Sequence, residues 1–197
     1  MKVATWLILA CALFGGAAGA ARASNLIVDG GFESPVVPSA SYTLFDLGQE
    51  FSKWEVVGKQ DNVAIVSGSF TQNGFIFLAH SGKQWLDLTG TSNTPTGVEQ
   101  KVLTSPGRVY QLKFWVGNVY DPGGIFGTSS RVHVYVDGLL LTTALNTAGK
   151  GTDTQVWRGF AVKFTAKTSE TTITFINGDP ADDTSNGLDD VSLELVR

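Results

Sequence analysis

Apolar and polar side chains alternate one by one along most of this chain, and that period of two limits its architecture more than any other feature. Tyr110, Leu112, Phe114 and Val116 fall on one side of a segment whose other side carries Gln111, Lys113 and Trp115. Val132, Val134 and Val136 alternate with Arg131, His133 and Tyr135, and Leu86 and Leu88 with Trp85 and Asp87. Val191, Leu193 and Leu195 alternate with Ser192 and Glu194, while Phe160, Val162 and Phe164, then Ile173 and Phe175, continue the pattern. Successive side chains of a strand point to opposite faces, so the alternation predicts strands with one buried face. No useful stretch carries apolar residues at helical spacing. Turn formers separate the segments at Val57-Gly58-Lys59, Thr104-Ser105-Pro106-Gly107, Asp137-Gly138, Asn177-Gly178 and Ser185-Asn186-Gly187. With 23 glycines in 197 residues and no internal repeat, the chain reads as all-β. It predicts about ten short strands in a sandwich or barrel.

The first 23 residues stand apart from this pattern. Lys2, the apolar run Val3 to Phe14 and the Ala21-Arg22-Ala23 triplet read as a secretory signal peptide, with a positive start, a hydrophobic middle and a small-residue cleavage site. The apolar run is short for a membrane span. A rival reading takes Ile8-Leu9-Ala10-Cys11 as a lipobox, although Cys11 lies early for one. Cleavage after Ala23 would remove the one cysteine and leave residues 24–197 as a single secreted domain without a disulfide framework. The whole chain carries a formal charge of −4, and loss of Lys2 and Arg22 makes it more negative. The lack of a basic run argues against nucleic acid and anionic membranes as partners.

Two distant phrases put acids beside short apolar strands: Asn25-Leu26-Ile27-Val28-Asp29-Gly30-Gly31-Phe32-Glu33 and Gly187-Leu188-Asp189-Asp190-Val191-Ser192-Leu193. Between them come Gln84-Trp85-Leu86-Asp87-Leu88-Thr89-Gly90, Gly97-Val98-Glu99-Gln100, the segment Ser105 to Asn118, and Trp157 leading to Phe164-Thr165-Ala166. In this order the series resembles the galactose-binding-like jelly-roll domains of the DUF642 type. It is similar also to carbohydrate-binding modules that open on an Asn-Gly-x-Phe-Glu motif and finish on Asp-Asp-Val. The resemblance spans nearly all of residues 24–197 and departs from the pattern at Asp29, where Asn is usual. It implies a jelly-roll β-sandwich of two antiparallel sheets and a secreted, non-catalytic module that binds a polysaccharide or cell-envelope glycan. It implies also a structural calcium ion held where the two ends of the domain meet, by the Glu33 side chain, the Gly31 carbonyl and the Asp189 side chain. Strand parity groups Asp189 with Val191 and Leu193, and an inward carboxylate is costly unless paired. The competing reading has Glu33 capping a turn and Asp189 accepting backbone N–H bonds.

Sugar rings present apolar C–H faces to flat side chains, while their hydroxyls need polar partners. Trp85 and Trp115 lie on the polar side of their strands, with Asp87 on the side of Trp85 and Asn118 just beyond Trp115. If both strands share the concave sheet, these residues and Arg131, His133 and Tyr135 form a ligand platform; otherwise the two indoles pack beneath a loop. Tyr120 and Phe126, on the glycine-rich loop Gly117 to Ser130, are further expected ligand contacts, whereas Trp54 and Trp157 are expected in the core. His80 and His133 are far apart, and no nucleophile elbow or paired-histidine helix is present. The leading reading is therefore a glycan-binding module. The alternatives are an extracellular structural or adhesive matrix protein that binds proteins, and a small glycan hydrolase using two of the acids.

Overall fold

In a computed structural model, which describes residues 24–180 and 184–196, every assigned element is a strand. The expected signal peptide lies outside the described residues. The strands are β1 (Tyr42–Asp46), β2 (Glu50–Phe51), β3 (Trp54–Gly58), β4 (Asn62–Ser67), β5 (Phe70–Gln72), β6 (Phe75–Phe77), β7 (Gln84–Asp87), β8 (Thr96–Leu103), β9 (Val109–Asn118), β10 (Ser130–Val136), β11 (Leu139–Asn146), β12 (Val156–Thr165), β13 (Glu170–Asn177) and β14 (Gly187–Leu195). One antiparallel sheet runs β1-β4-β7-β14-β9-β12 and the other β11-β10-β13-β8-β3-β2, while β5 and β6 form a separate ribbon.

The alternating positions face one another across the two sheets. Ile65, Leu86, Leu112, Phe114, Leu188 and Leu193 meet Trp54, Val98, Val132, Val134, Ile173 and Phe175 in a core from which water is excluded. Truncating one of its large aromatic side chains to Ala costs about 3–5 kcal/mol. The Asp137-Gly138 turn takes the left-handed φ values, +50° and +75°, that a two-residue hairpin between β10 and β11 requires.

The N-terminal segment is laid along β14, so the two ends of the domain are neighbours. Leu26 N–H donates to the Leu193 carbonyl at 2.9 Å, and Val191 N–H to the Gly30 carbonyl at 2.8 Å. The Asn25 side chain accepts from Leu193 N–H, and the Gln100 amide brackets the Val28 backbone by donating to its carbonyl and accepting from its N–H. Trp54 closes the seat from the core side, its indole N–H donating to the Asp29 carbonyl at 3.0 Å.

Pairing of β14 with β9 slips between Asp189 and Ser192, a β-bulge at which Asp190 takes φ +48°. A bulge puts one extra residue into a strand and changes which side chains face inward. Leu188 and Val191, three residues apart, thus both reach the core. The strand parity expected for Asp189 fails for this reason. Asp189 is fully buried, but it pairs with Trp115 on the outer face rather than pointing inward.

Gly30 sits against the bulge, where a Cβ would overlap the Val191 carbonyl oxygen. Gly30→Ala should therefore destabilise the domain by about 2–3 kcal/mol, lowering the thermal midpoint by roughly 4–12 °C. Gly31→Ala, whose Cβ meets nothing closer than 3.7 Å, should cost far less when both are melted by circular dichroism.

Candidate functional site

The outer face of the β1-β4-β7-β14-β9-β12 sheet is covered over part of its area, because the long segment between β4 and β7 folds back across it. Asn73-Gly74, at φ +52° and +86°, turns Phe70–Gln72 into Phe75–Phe77 as a hairpin. Phe77 is carried onto Trp85, with ring centroids 6.1 Å apart and planes 15° from parallel. Phe126, from the loop after β9, meets Phe77 edge-on at 5.1 Å and Phe75 at 5.6 Å. Ala64, Val66, Phe77, Trp85, Val119 and Phe126 make a second apolar cluster, with Trp157 packed at its side. Trp157 therefore belongs to the outer face, not to the expected central core, and its indole N–H donates to the Leu78 carbonyl.

Where this roof stops short of β1, a cavity of about 320 Å³ remains, within the range of ligand pockets. Tyr42, Phe70, Phe77, Trp85 and Phe126 line it with Leu44, Val66 and Ile125, and Asp87, Gln72, Thr91, Thr184 and Ser185 supply polar groups. Tyr42 and Phe70 stand at right angles, 5.7 Å between centroids. The Asp87 carboxylate is fixed through Oδ1, which accepts from Thr89 N–H and hydroxyl and from Asn186 N–H. Burial pushes Asp87 up to about 6, against the lowering effect of these bonds.

Only part of the expected ligand platform converges here. Trp85, Asp87 and Phe126 line the cavity, although Trp85 is 2 % and Phe126 4 % exposed, so they form its walls rather than a protruding surface. Trp115 lies beyond the roof, its ring stacked on His80 at 3.8 Å. Asn118 is fully buried and ties loops together, donating to the Val119 carbonyl and Ser130 Oγ and accepting from Gly149 N–H. Asn118 is thus a structural tie and not the expected ligand contact. Tyr120 is half-buried outside the cavity lining, with Lys150 Nζ 5.9 Å from its ring centre. Arg131 belongs to β10 in the other sheet, as do His133 and Tyr135, so the expected platform is split between the two sheets of the sandwich. Tyr42, Leu44 and Phe70 were missed as cavity residues. The exposed parity of Tyr42 and Leu44 and the hairpin dipeptide Asn73-Gly74 are the signals that could have found them.

Two of the residues expected to hold calcium, Glu33 and Asp189, lie beside Gly31. A Cβ on Gly31 would lie 3.8 Å from Asp189 Oδ1, 3.7 Å from Asp190 Oδ1 and 3.8 Å from Glu33 Cγ. The acids are also used by the backbone, as the competing reading had it. Glu33 Oε1 accepts from the N–H groups of Lys83 and Gln84, and Asp189 Oδ2 from those of His80 and Ser81. Asp190 bonds His80 Nδ1 at 2.5 Å and the Ser81 hydroxyl at 2.8 Å. Asp29 does the turn-capping expected of an Asn, accepting from Glu33 and Ser34 N–H. Among the described residues no group of three His, Cys, Asp or Glu side chains is arranged around one point. The set fits a hard cation in the type of its donors, carboxylates and a glycine carbonyl, with water needed to complete six to eight oxygens.

The two antiparallel sheets, with their ends laced together and a cleft on one outer face, form a jelly-roll sandwich with the galactose-binding-like fold. The model of the family described as "Protein of unknown function (DUF642)" matches residues 25–194, and the chain belongs to that family. No curated protein matches it in sequence. Among solved structures, it is similar to the apo form of a cyclase from Fischerella sp., with TM-score 0.61 and 18 % identity over 89 % of this chain and 98 % of that one. A Fischerella cyclase in complex with (3Z)-3-(1-methyl-2-pyrrolidinylidene)-3H-indole gives 0.58 and 17 % over 88 % and 98 %. A family 61 carbohydrate-binding module in complex with β-1,4-galactotriose gives 0.53 and 19 % over 88 % and 99 %. These likenesses establish the fold.

Burial, then the neighbouring Asp190 charge, pushes Asp189 up to about 8 despite its N–H partners. The folded state therefore holds a proton that the unfolded chain releases, and stability is lost as pH rises from about 4 to about 8. In chelator the thermal midpoint should fall between pH 5 and pH 8. A flat or rising curve would contradict the burial account of Asp87 and Asp189.

Proposed function

We propose that this is a secreted, non-catalytic protein that binds a glycan in the cleft bounded by Tyr42, Phe70, Trp85, Asp87 and Phe126. The observation that carries the reading is the combination of upright aromatic walls with a few fixed polar groups in a preformed cavity. Flat rings accept the C–H faces of a pyranose, and the polar groups select its hydroxyls. A family 61 carbohydrate-binding module of the same fold, in complex with β-1,4-galactotriose, supports the ligand class.

A second reading rests on Asp87. A carboxyl raised to about 6 inside an apolar cleft is suited to exchanging a proton with a bound substrate near neutral pH, and cyclases of this fold support a small-molecule substrate. The two readings separate by product: a binding module returns its ligand unchanged.

Affinity electrophoresis through gels loaded with soluble polysaccharides tests the first. Retardation should be lost in Tyr42→Ala, a half-exposed residue whose loss leaves the core intact. No retardation by any polysaccharide would favour the matrix-protein reading.

The structural calcium is proposed separately. Calcium bound only by the folded state raises stability by mass action, and it holds Asp189 ionised. It should raise the thermal midpoint more at pH 8 than at pH 5, and Glu33→Gln should weaken the effect. An unmoved midpoint at both pH values would reject the site.

A further inference from the structure

The walls of the cleft carry a charge imbalance that a neutral sugar does not resolve. Among the described residues lining it, Asp87 is the one charged side chain, with no Lys, Arg or His. Its Oδ1 is taken up by Thr89 and Asn186, while Oδ2 has no hydrogen-bond partner among the described residues. The rings of Tyr42, Phe70, Phe77, Trp85 and Phe126 line the same cleft. Tyr42 meets Phe70 at 89° and Phe126 meets Phe77 at 69°, while Phe77 lies nearly parallel to Trp85 at 15°.

We propose that the cleft selects an amino sugar whose amine is free and protonated, with the ammonium group facing Asp87 Oδ2 and the aromatic box around it. This rests on the glycan-binding reading and narrows it. Ring faces attract cations through their quadrupole, and several rings around one carboxylate form the kind of cage that recognises organic ammonium groups. An ammonium brings N–H donors to a place that offers an unused acceptor, Asp87 Oδ2, and it pairs a carboxylate held against apolar walls. A uronic acid would be repelled by Asp87, and an N-acetylated sugar has no charge to offer it. A metal ion is a poor fit, because one carboxylate supplies too few ligands.

The electrostatic environment of Asp87 sets the pH response. Its cross-strand neighbours Ala64 and Gly187 do not titrate, nor do its partners Thr89 and Asn186. Tyr42 is the other ionisable side chain lining the cleft. With Asp87 raised to about 6, lowering the pH from 7 to 5 protonates it and should weaken amine binding about tenfold.

Isothermal titration of the full chain with a glucosamine trimer, its N-acetylated form and β-1,4-galactotriose tests this. The glucosamine trimer should bind most tightly at pH 7 and lose about tenfold at pH 5. Asp87→Asn keeps an oxygen for Thr89 and Asn186, so the folded variant should lose about tenfold in amine affinity and its pH dependence. Equal binding of the three sugars, or amine binding that ignores both pH and Asp87→Asn, overturns the amino-sugar inference and leaves glycan binding standing. Binding of none of them overturns the inference and counts against the glycan reading. Should the variant fail to fold, the pH comparison on the unaltered protein decides alone.

Discussion

The seating of the N-terminal segment in the bulge of β14 is the constraint from which the rest of the molecule follows. Gly30 approaches so closely that a side chain there would strike the Val191 carbonyl, and the Val191 N–H answers with a bond to the Gly30 carbonyl. The extra residue of the bulge sends Leu188 and Val191 into the same core. It leaves Asp189 on the opposite face, where it collects the N–H groups of His80 and Ser81. One local irregularity thus joins the ends of the domain and anchors the turn that leads from the roofing ribbon into β7. Glu33 repeats the anchoring from the N-terminal side through Lys83 and Gln84, at a point where Gly82 has no Cβ to obstruct its carboxylate.

That anchor explains how one sheet comes to bury much of both faces. Its inner face packs against the second sheet, and part of its outer face packs under β5, β6 and the loop after β9. Burial of Phe77, Trp85 and Phe126 contributes about 1.5–3 kcal/mol for each large side chain. The cleft is the unroofed remainder of this second layer, so its aromatic walls are held by packing rather than by a ligand. A preformed cavity of this kind avoids much of the ordering cost that weakens binding by mobile loops.

The fold was legible because burial imposes alternation: the parities of β9, β10 and β13 in the sequence are those of the core. The bulge was not, since two adjacent acids carry no sign of a register slip, and parity counted back from Val191 placed Asp189 on the wrong face. Outer-face positions were also read correctly for Trp85 and Trp115, yet outward did not mean exposed. Burial of Trp85 depends on a hairpin folded from Phe70 to Phe77, and alternation within one strand holds no information on what lies above it. Arg131 was misgrouped because sheet membership depends on the order of strands in space, which strand-by-strand periodicity cannot supply. The meeting of the two ends, seen in the Leu26–Leu193 and Gly30–Val191 bonds, was anticipated from resemblance rather than from periodicity.

Amide hydrogen exchange at the junction of the two ends tests this account most directly. The amides of Leu26, Val191 and Leu193 and the indole N–H of Trp54 should exchange as slowly as the core amides of Leu112 and Phe114, because opening the seat breaks the domain as a whole. Fast exchange at these four sites, with Leu112 and Phe114 still protected, would show that the N-terminal segment is an accessory strap and would contradict the dependence of the fold on it.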